Sequence, residues 1–300
     1  MQVDKKNGSI CYNDDAHVYW DGSTNKKYIS VTTLLEKYIP PYDKEFWSLY
    51  KAIQRMLTTD EFNMEKKRLL ETHKIDLKYF ESMYSLSEYD ILTEQQNILD
   101  EWVATNKQST ERGTKIHSEL ENSFYKSEKC QLKKFGISGD FVCKKDYFNL
   151  DLENGVYPEF LVYYQSPDGN LCLAGQIDLL IKKGNSIWIF DYKTNKELKF
   201  KSFYDSRVKK AQMMKYPLNG LMDCNFMHYT MQLSTYAWMI QKMNPDFIIE
   251  KLTLIHYDHS DKVSTHEVEY RKSDVEKVLK DFDKKMIKEQ QEQKRKRFEY

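Results

Sequence analysis

Two aspartates and a lysine stand in a spacing suited to hydrolytic chemistry: Gly175-Gln-Ile-Asp178 is followed, across twelve intervening residues, by Asp191-Tyr-Lys193. The runs Leu171–Lys182 and Ile187–Lys193 are rich in β-branched, aliphatic and aromatic residues, as strands are. Between them, Lys183-Gly-Asn-Ser186 centres on a Gly-Asn pair that favours a tight hairpin. With Lys183 opposite Ser186, facing residue numbers sum to 369, which places Asp178 across from Asp191. Their Cβ atoms are then expected ~5 Å apart. Lys193, two residues beyond Asp191, projects from the same face. Carboxylates this close repel unless a cation lies between them, and hard oxygen ligands suit Mg²⁺ or Mn²⁺. A lysine beside such an ion can orient or deprotonate a water, or neutralise charge developing on a phosphate. On an exposed hairpin the same residues would form an ordinary salt bridge. Here Ile177, Leu179, Trp188, Ile189 and Phe190 give them an apolar surround.

Three further positions bear on this chemistry. His117 and Glu121 lie one turn apart on a helix predicted from about Thr110 to Ser127, beside the stripe Ile116, Leu120 and Phe124. A lone helical histidine is more often structural than a ligand. Glu159, in Pro158-Glu-Phe-Leu-Val-Tyr163, is a charge among apolar strand neighbours and needs a partner or solvent. Gln232 and Tyr236 are four apart on a helix predicted from His228 to Lys242, and by themselves describe only a helix surface.

The elements that must position these groups are legible in outline. Ala16–Trp20 and Lys27–Val31 flank Asp21-Gly-Ser23 as a hairpin. Thr32 or Thr33 is the expected cap of a short helix that ends before Pro40-Pro41. Residues 43–106 are polar and helical, with Phe46, Leu49, Tyr50 and Ile53 at helical spacing. Val156–Tyr164, Phe247–Tyr257 and Val263–Tyr270 read as strands, and a Lys-rich loop runs from Thr194 to Lys215. The last helix carries Val275, Val278, Leu279, Phe282 and Met286 and is polar beyond Ile287, a solvated extension. The expected organisation is an N-terminal hairpin and helix belonging to the core (1–42), an inserted helical lobe (43–108), the core itself (109–270), and a helix with a polar tail (271–300).

Composition bounds the rest. With 300 residues the chain can bury a large core without staples. Lys and Arg number 46 against 46 Asp and Glu, which excludes a generally basic coat protein but not a local basic groove. A mean hydropathy of −0.74 and the lack of any apolar run of ~18 residues exclude an integral membrane protein. Aromatics at 14% are far above a disordered composition. The five scattered cysteines form no C-x-x-C pair, which disfavours zinc or iron–sulfur ligation and suits a reducing compartment. Met1-Gln-Val-Asp-Lys-Lys6 has no apolar h-region. The expected location is cytoplasmic, in a host cell if the chain is phage-encoded.

Taken in order, Gly113-Thr-Lys-Ile-His117, Glu159, Gly175-x-x-Asp178, Asp191-x-Lys193 and Gln232-x-x-x-Tyr236 resemble the motifs of the PD-(D/E)XK nucleases, specifically the RecB-like and phage-exonuclease branch. Tyr28-Ile-Ser-Val-Thr-Thr33 with the following Pro40-Pro41 is similar to the start of phage members, so the likeness spans Ala16 to about Tyr270. The resemblance implies an α/β (mixed α+β) restriction-endonuclease-like core, a mixed sheet flanked by helices with the two motif strands at its centre. It also implies roles. Asp178 and Asp191 would ligate the divalent metal, Mg²⁺ or Mn²⁺, with the Tyr192 carbonyl completing the shell. Lys193 would position or activate the attacking water, His117 would add a metal ligand, and Glu159 would support a second ion. Gln232 and Tyr236 would orient the catalytic groups or hold the backbone of the nucleic acid. Some RecB-like relatives carry an iron–sulfur cluster on four cysteines, three of them after the core. Only Cys224 follows the Asp-x-Lys motif here, so no cluster is expected.

A neutral protein must concentrate positive charge locally to hold a polyanion. Lys196, Lys199, Lys201, Arg207, Lys209 and Lys210 do so directly after the catalytic strand, interleaved with Phe200, Phe203, Tyr204 and Tyr216, which can stack on unpaired bases. The leading expectation is a metal-dependent DNA exonuclease acting on single strands or duplex ends, whose partners include viral recombination or replication proteins; an oligomer is compatible with the motifs. Other readings are a structure-specific or nicking endonuclease, a catalytically silent nucleic-acid-binding or virion protein of the same fold, and an unrelated metallohydrolase. Intact Asp178, Asp191 and Lys193 argue against the silent protein.

Overall fold

A nine-stranded mixed sheet organises the chain in the computed structural model, which describes residues 5–7, 10–13, 16, 18–126, 130–144, 152–205 and 207–298. Strands β1 (Lys5–Asn7) and β2 (Ile10–Asn13) precede the expected hairpin of β3 (Val18–Asp21) and β4 (Lys27–Ser30). Asp21 Oδ1 closes the hairpin by accepting the main-chain N–H groups of Ser23 and Thr24, as an Asp in a turn does. Helix α1 (Val31–Glu36) is capped by Ser30, not by Thr32 or Thr33: Ser30 is the last extended residue, and its hydroxyl accepts the Thr33 N–H at 3.0 Å.

Helices α2 (Lys44–Met56), α3 (Thr59–Thr72), α4 (Leu77–Tyr84) and α5 (Glu88–Tyr125) follow. Each has a side-chain N-cap: Asp43, Thr58 in a capping box with Glu61, Asp76 and Ser87. They enclose a separate apolar cluster that includes Phe46, Tyr50, Ile53, Phe62, Leu69, Phe80, Ile91 and Ile98. The break expected near residue 108 does not occur, and α5 runs through it for 38 residues. The apolar stripe lapses there, and residues 103–108 are exposed. Nothing in the segment breaks a helix more strongly than Gly113, which costs about 1 kcal/mol relative to Ala.

Short strands β5 (Cys130–Gln131) and β6 (Asp140–Phe141) pair with each other. Then come β7 (Gly155–Gln165), β8 (Cys172–Lys183) and β9 (Ser186–Lys193). The paired β10 (Tyr204–Asp205) and β11 (Lys210–Ala211), α6 (Asn225–Met243), β12 (Ile248–Tyr257), β13 (Val263–Val268) and α7 (Lys272–Phe298) complete the order. The polar end of α7 thus stays helical through Phe298.

The sheet runs β1-β2-β3-β4-β8-β9-β12-β13, with β7 on β8. The β4–β8 and β9–β12 pairs are parallel and the others antiparallel. Strand β8 is the hub. Strand β7 lines one edge from Cys172 to Lys182, so β4 and β9 share the other: β4 pairs at Leu173 and Ala174, β9 from Leu179 to Lys183. Residues 175–178 pair with neither, and the sheet opens there.

Helices α1, α6 and α7 cover one face through Leu34, Leu233, Ala237, Val278 and Phe282, packed with Ile187 and Ile189 of β9. The end of α5 and residues 130–141 cover the other, where Phe124, Leu132 and Phe141 meet Phe190 and Tyr192. No helix among the described residues is long and apolar enough to cross a membrane.

Candidate active site

The β8–β9 ladder has the register derived from its loop: Lys183 faces Ser186, and the pairing continues to Leu179 and Phe190. One step further, at Asp178, the backbone ladder gives way to a side-chain bridge. Asp178 Oδ2 accepts the main-chain N–H of Tyr192 at 2.6 Å. On the other edge of β8, Pro158 pairs with Leu179 and Phe160 with Ile177, which sets Glu159 opposite Asp178. Glu159 interrupts that ladder with φ 51°, the left-handed region, which costs a non-glycine residue about 1–2 kcal/mol.

Helix α5 brings His117 to the same place. Its Nδ1 lies 3.7 Å from Asp178 Oδ1 and 3.8 Å from Glu159 Oε1, while its Nε2 is 3.2 Å from the Tyr192 carbonyl. One donor atom from each of His117, Glu159 and Asp178 can be chosen so that all three lie within 4.8 Å of one another. The close approach of α5 depends on Gly113, where a Cβ would stand 3.1 Å from Thr194 Oγ1.

Asp191 lies outside this trio, unlike the expected Asp178–Asp191 pair of ligands. It is 1% exposed, and its Oδ2 is 2.6 Å from Lys193 Nζ. Gln232 Nε2 donates to Asp191 Oδ1 at 3.3 Å and to the Tyr236 hydroxyl at 3.1 Å. The Tyr236 ring occupies the space a side chain at position 175 would need: a Cβ on Gly175 would fall 2.5 Å from Tyr236 Cε1. The Tyr192 carbonyl, expected on the metal, lies 3.2 Å from His117 Nε2.

Burial and charge shape these groups together. Burial pushes Asp191 up to about 6, against the pull of Lys193 and with the help of Asp178. It also raises Asp178, which His117 opposes and Glu159 reinforces. Burial would lower His117, but the carboxylates of Asp178 and Glu159 outweigh it and hold the imidazolium up to about 9. Likewise Asp191 and Asp178 overcome the burial of Lys193 and raise it. Six of these groups, His117, Glu159, Asp178, Lys193, Gln232 and Tyr236, line one cleft of about 460 Å³, together with Glu121 and with Tyr12 and Tyr19 of the N-terminal strands.

The predicted basic residues lie on the exposed loop that leaves β9. Lys196, Lys199, Lys201 and Lys209 are exposed, and Lys210 sits in β11. Arg207 differs: its guanidinium is committed to Asp205 at 2.6 Å.

Three residues escaped the sequence reading. Arg112 donates to the carbonyls of Thr194 (3.0 Å) and Asp258 (2.5 Å) and to Asp261 Oδ1 (2.7 Å), clamping α5 to the chain after Lys193. The Tyr229 ring lies 4.7 Å from Lys193 Nζ; extending the Gln232/Tyr236 face one turn back would have found it. His256, opposite Lys193 on β12, is 2.7 Å from the Asn195 carbonyl. Nothing in its local spacing marks it.

A family model, that of the PD-(D/E)XK nuclease superfamily, matches residues 146–299. The chain belongs to this superfamily. The matched span holds Glu159, Asp178, Asp191, Lys193, Gln232 and Tyr236, and α5 adds His117 from upstream. Superfamily membership accounts for the mixed sheet flanked by helices, the restriction-endonuclease-like arrangement, and points to hydrolytic nuclease chemistry that uses a divalent metal. No curated protein matches the sequence. Among solved structures, one described as "Crystal structure of SSO0001" is similar at 17% identity, covering 75% of this chain and 85% of that one, with a TM-score of 0.33. That likeness is too loose to bear on the chemistry.

The residues fit a metal of this class. Two carboxylates and an imidazole converge, and neutral His117 can donate its Nε2–H to Tyr192 while turning its Nδ1 lone pair inward, as metal-bound histidines do. Without an ion, Glu159 and Asp178 repel each other and rely on the His117 imidazolium to offset it, a place a divalent cation can take.

Proposed function

We propose that this chain is a divalent-metal-dependent DNA exonuclease of the RecB-like and phage branch, hydrolysing phosphodiester bonds with Mg²⁺ or Mn²⁺. One observation carries the reading: a buried Lys193–Asp191 pair stands beside the His117–Glu159–Asp178 donor trio at the opening of the sheet. A structural salt bridge requires no donor trio next to it.

His117, Glu159 and Asp178 would hold the ion. Bound there, it would polarise a phosphate oxygen and acidify a coordinated water. Asp191 fixes the Lys193 ammonium, which donates towards the attacking water and neutralises charge building on the phosphate. Gln232 keeps Asp191 oriented, and Tyr236 keeps Gln232 in place. The exposed lysines after β9 supply local positive charge for a polyanion. The branch is supported by the helical His117 ahead of the core and by Gln232-x-x-x-Tyr236 behind it.

The deciding experiment is digestion of matched linear single-stranded, linear duplex and closed circular DNA in Mn²⁺. An exonuclease shortens the linear substrates and spares the circle. Cutting of the circle would replace this reading with an endonuclease, and no cutting of any substrate would leave a binding protein.

A further inference from the structure

A second cleft, of about 590 Å³, lies away from the donor trio, where the loop after β9 meets α2 and the end of α3. Its walls are aromatic. Phe203 packs edge-on against Trp47 with centroids 5.6 Å apart, and His73 stacks on Phe46 at 3.6 Å. Phe203 nevertheless leaves half of its surface open, and Tyr42 at the rim is 65% exposed. A single exposed ring is ordinary; here two stand on one cleft with exposed lysines beside them.

The charges of the cleft are sorted. Each carboxylate has a basic side chain against it: Asp43 the His73 ring at 3.0 Å, Asp205 the Arg207 guanidinium at 2.6 Å, and Asp223 the His228 ring at 2.7 Å. Among the described residues, no carboxylate pairs with the ammonium of Lys199 or Lys201, and both side chains are exposed at the cleft. These two ammonium groups are therefore the charges at the cleft that stand open to a phosphate.

The wall is also preformed. The Lys199 N–H is held by Asn225 Oδ1 at 2.7 Å, the Lys199 carbonyl accepts from Phe226, and Phe203 accepts from Gln212. Little ordering is left for a ligand to induce, which favours affinity.

We propose that this seam is a stacking subsite for an unpaired base of a single nucleic-acid strand, with Phe203 as the platform and Lys199 and Lys201 gripping the flanking phosphates. The proposal rests on the nuclease reading and narrows it: substrate is engaged as a single strand. Every base has a π-face, so the subsite selects for strandedness and not for sequence. A paired base within a duplex has no free face to offer it.

The test uses the full-length protein in chelator, so that nothing is hydrolysed, with three fluorescent probes of equal length: an oligothymidine strand, the same backbone made of abasic sites, and a duplex. Anisotropy should show oligothymidine binding about 10-fold or more tighter than the abasic strand, with the duplex no tighter than the abasic strand. Phe203→Leu, which keeps apolar bulk against Trp47 but removes the ring face, should erase that preference. Lys199→Ala and Lys201→Ala should instead weaken both single strands and flatten the salt slope by about 0.7 per lysine. Equal binding of abasic and base-bearing strands, a preference that survives Phe203→Leu, or tighter duplex binding would each overturn the proposal. A parallel Mn²⁺ digestion reports separately on the nuclease reading: loss of cutting with the base preference intact sinks that reading and leaves the subsite.

Discussion

Asp178 holds Tyr192 by its main-chain N–H at 2.6 Å, at the point where the β8–β9 backbone ladder would otherwise continue. One oxygen of this carboxylate is thereby structural, while the other faces His117. The two duties can be separated by substitution. Asp178→Asn keeps an acceptor for Tyr192 and loses the charge, so its thermal midpoint should stay within a few degrees of the parent while Mn²⁺ affinity falls at least about 10-fold. Asp178→Ala should lose both, at about 1–3 kcal/mol for the stranded N–H. Calorimetric Mn²⁺ titration beside thermal melts distinguishes them. Equal Mn²⁺ affinity in Asp178→Asn and the parent would remove Asp178 from the donor trio.

The buried ion pair makes a different forecast. Lys193→Ala leaves the Asp191 carboxylate without its cation, which should cost about 3–5 kcal/mol of stability and about 10²–10³ in kcat. Replacing both, as Asp191→Asn with Lys193→Met, should restore much of the stability and none of the hydrolysis. Denaturant melts and single-turnover cleavage measure the two halves. Full activity in Lys193→Ala, or in Asp191→Asn alone, would refute the assigned centre.

Gly175 and Tyr236 should behave as a coupled pair. A methyl at position 175 meets the Tyr236 ring, so Gly175→Ala should cost about 1–3 kcal/mol and slow cleavage by displacing Gln232 from Asp191. Adding Tyr236→Ala frees the space, so the double variant should be more stable than the sum of its parts by about 1 kcal/mol. A double-mutant cycle on melting data reads this directly, and strict additivity would contradict the packing.

In the helical lobe, Glu65 accepts from the Tyr79 and Tyr84 hydroxyls at 2.7 and 2.9 Å and from Arg68 Nε at 2.6 Å. Burial alone would raise its pKa, but these bonds outweigh it and the net shift is downward from 4.5. A carboxylate depressed in the folded state contributes stability that is fully present above its unfolded pKa and is lost as pH falls through the folded value. Glu65→Gln should therefore lower stability at pH 7 and lessen the loss below pH 4.5. Melts at both pH values check the sign; an unchanged acid limb would show that the network contributes nothing.

Much of the centre was legible because local chemistry set it. The Gly184-Asn185 loop fixed the hairpin register, and alternation then put Asp191 and Lys193 on the face of Ile187 and Ile189. What escaped depended on distant chain. Glu159 takes a left-handed backbone only because of what surrounds it, and no local signal announces that. The partition of the acids, Asp178 towards His117 and Asp191 towards Lys193, depends on where α5 and α6 dock. The continuity of α5 was hidden because its middle is solvated on all sides, so the periodicity that reveals helices lapses while the helix persists. Ser30 was passed over as a cap for two threonines whose backbones are already helical.

That unbroken helix has a mechanical consequence. Ile98 is the last α5 residue buried in the lobe, and His117 stands nineteen positions further along, about 28 Å at 1.5 Å per residue. The lobe and the histidine are two ends of one cantilever. A tilt of roughly 5° about Ile98 would swing the imidazole by roughly 2.5 Å over that length, beyond ligand reach. Arg112, just before the tip, serves as the tie that resists the swing. A strand seated in the proposed seam beside Trp47 would load the same beam that aims the imidazole, which would tie traction on that strand to assembly of the reactive centre.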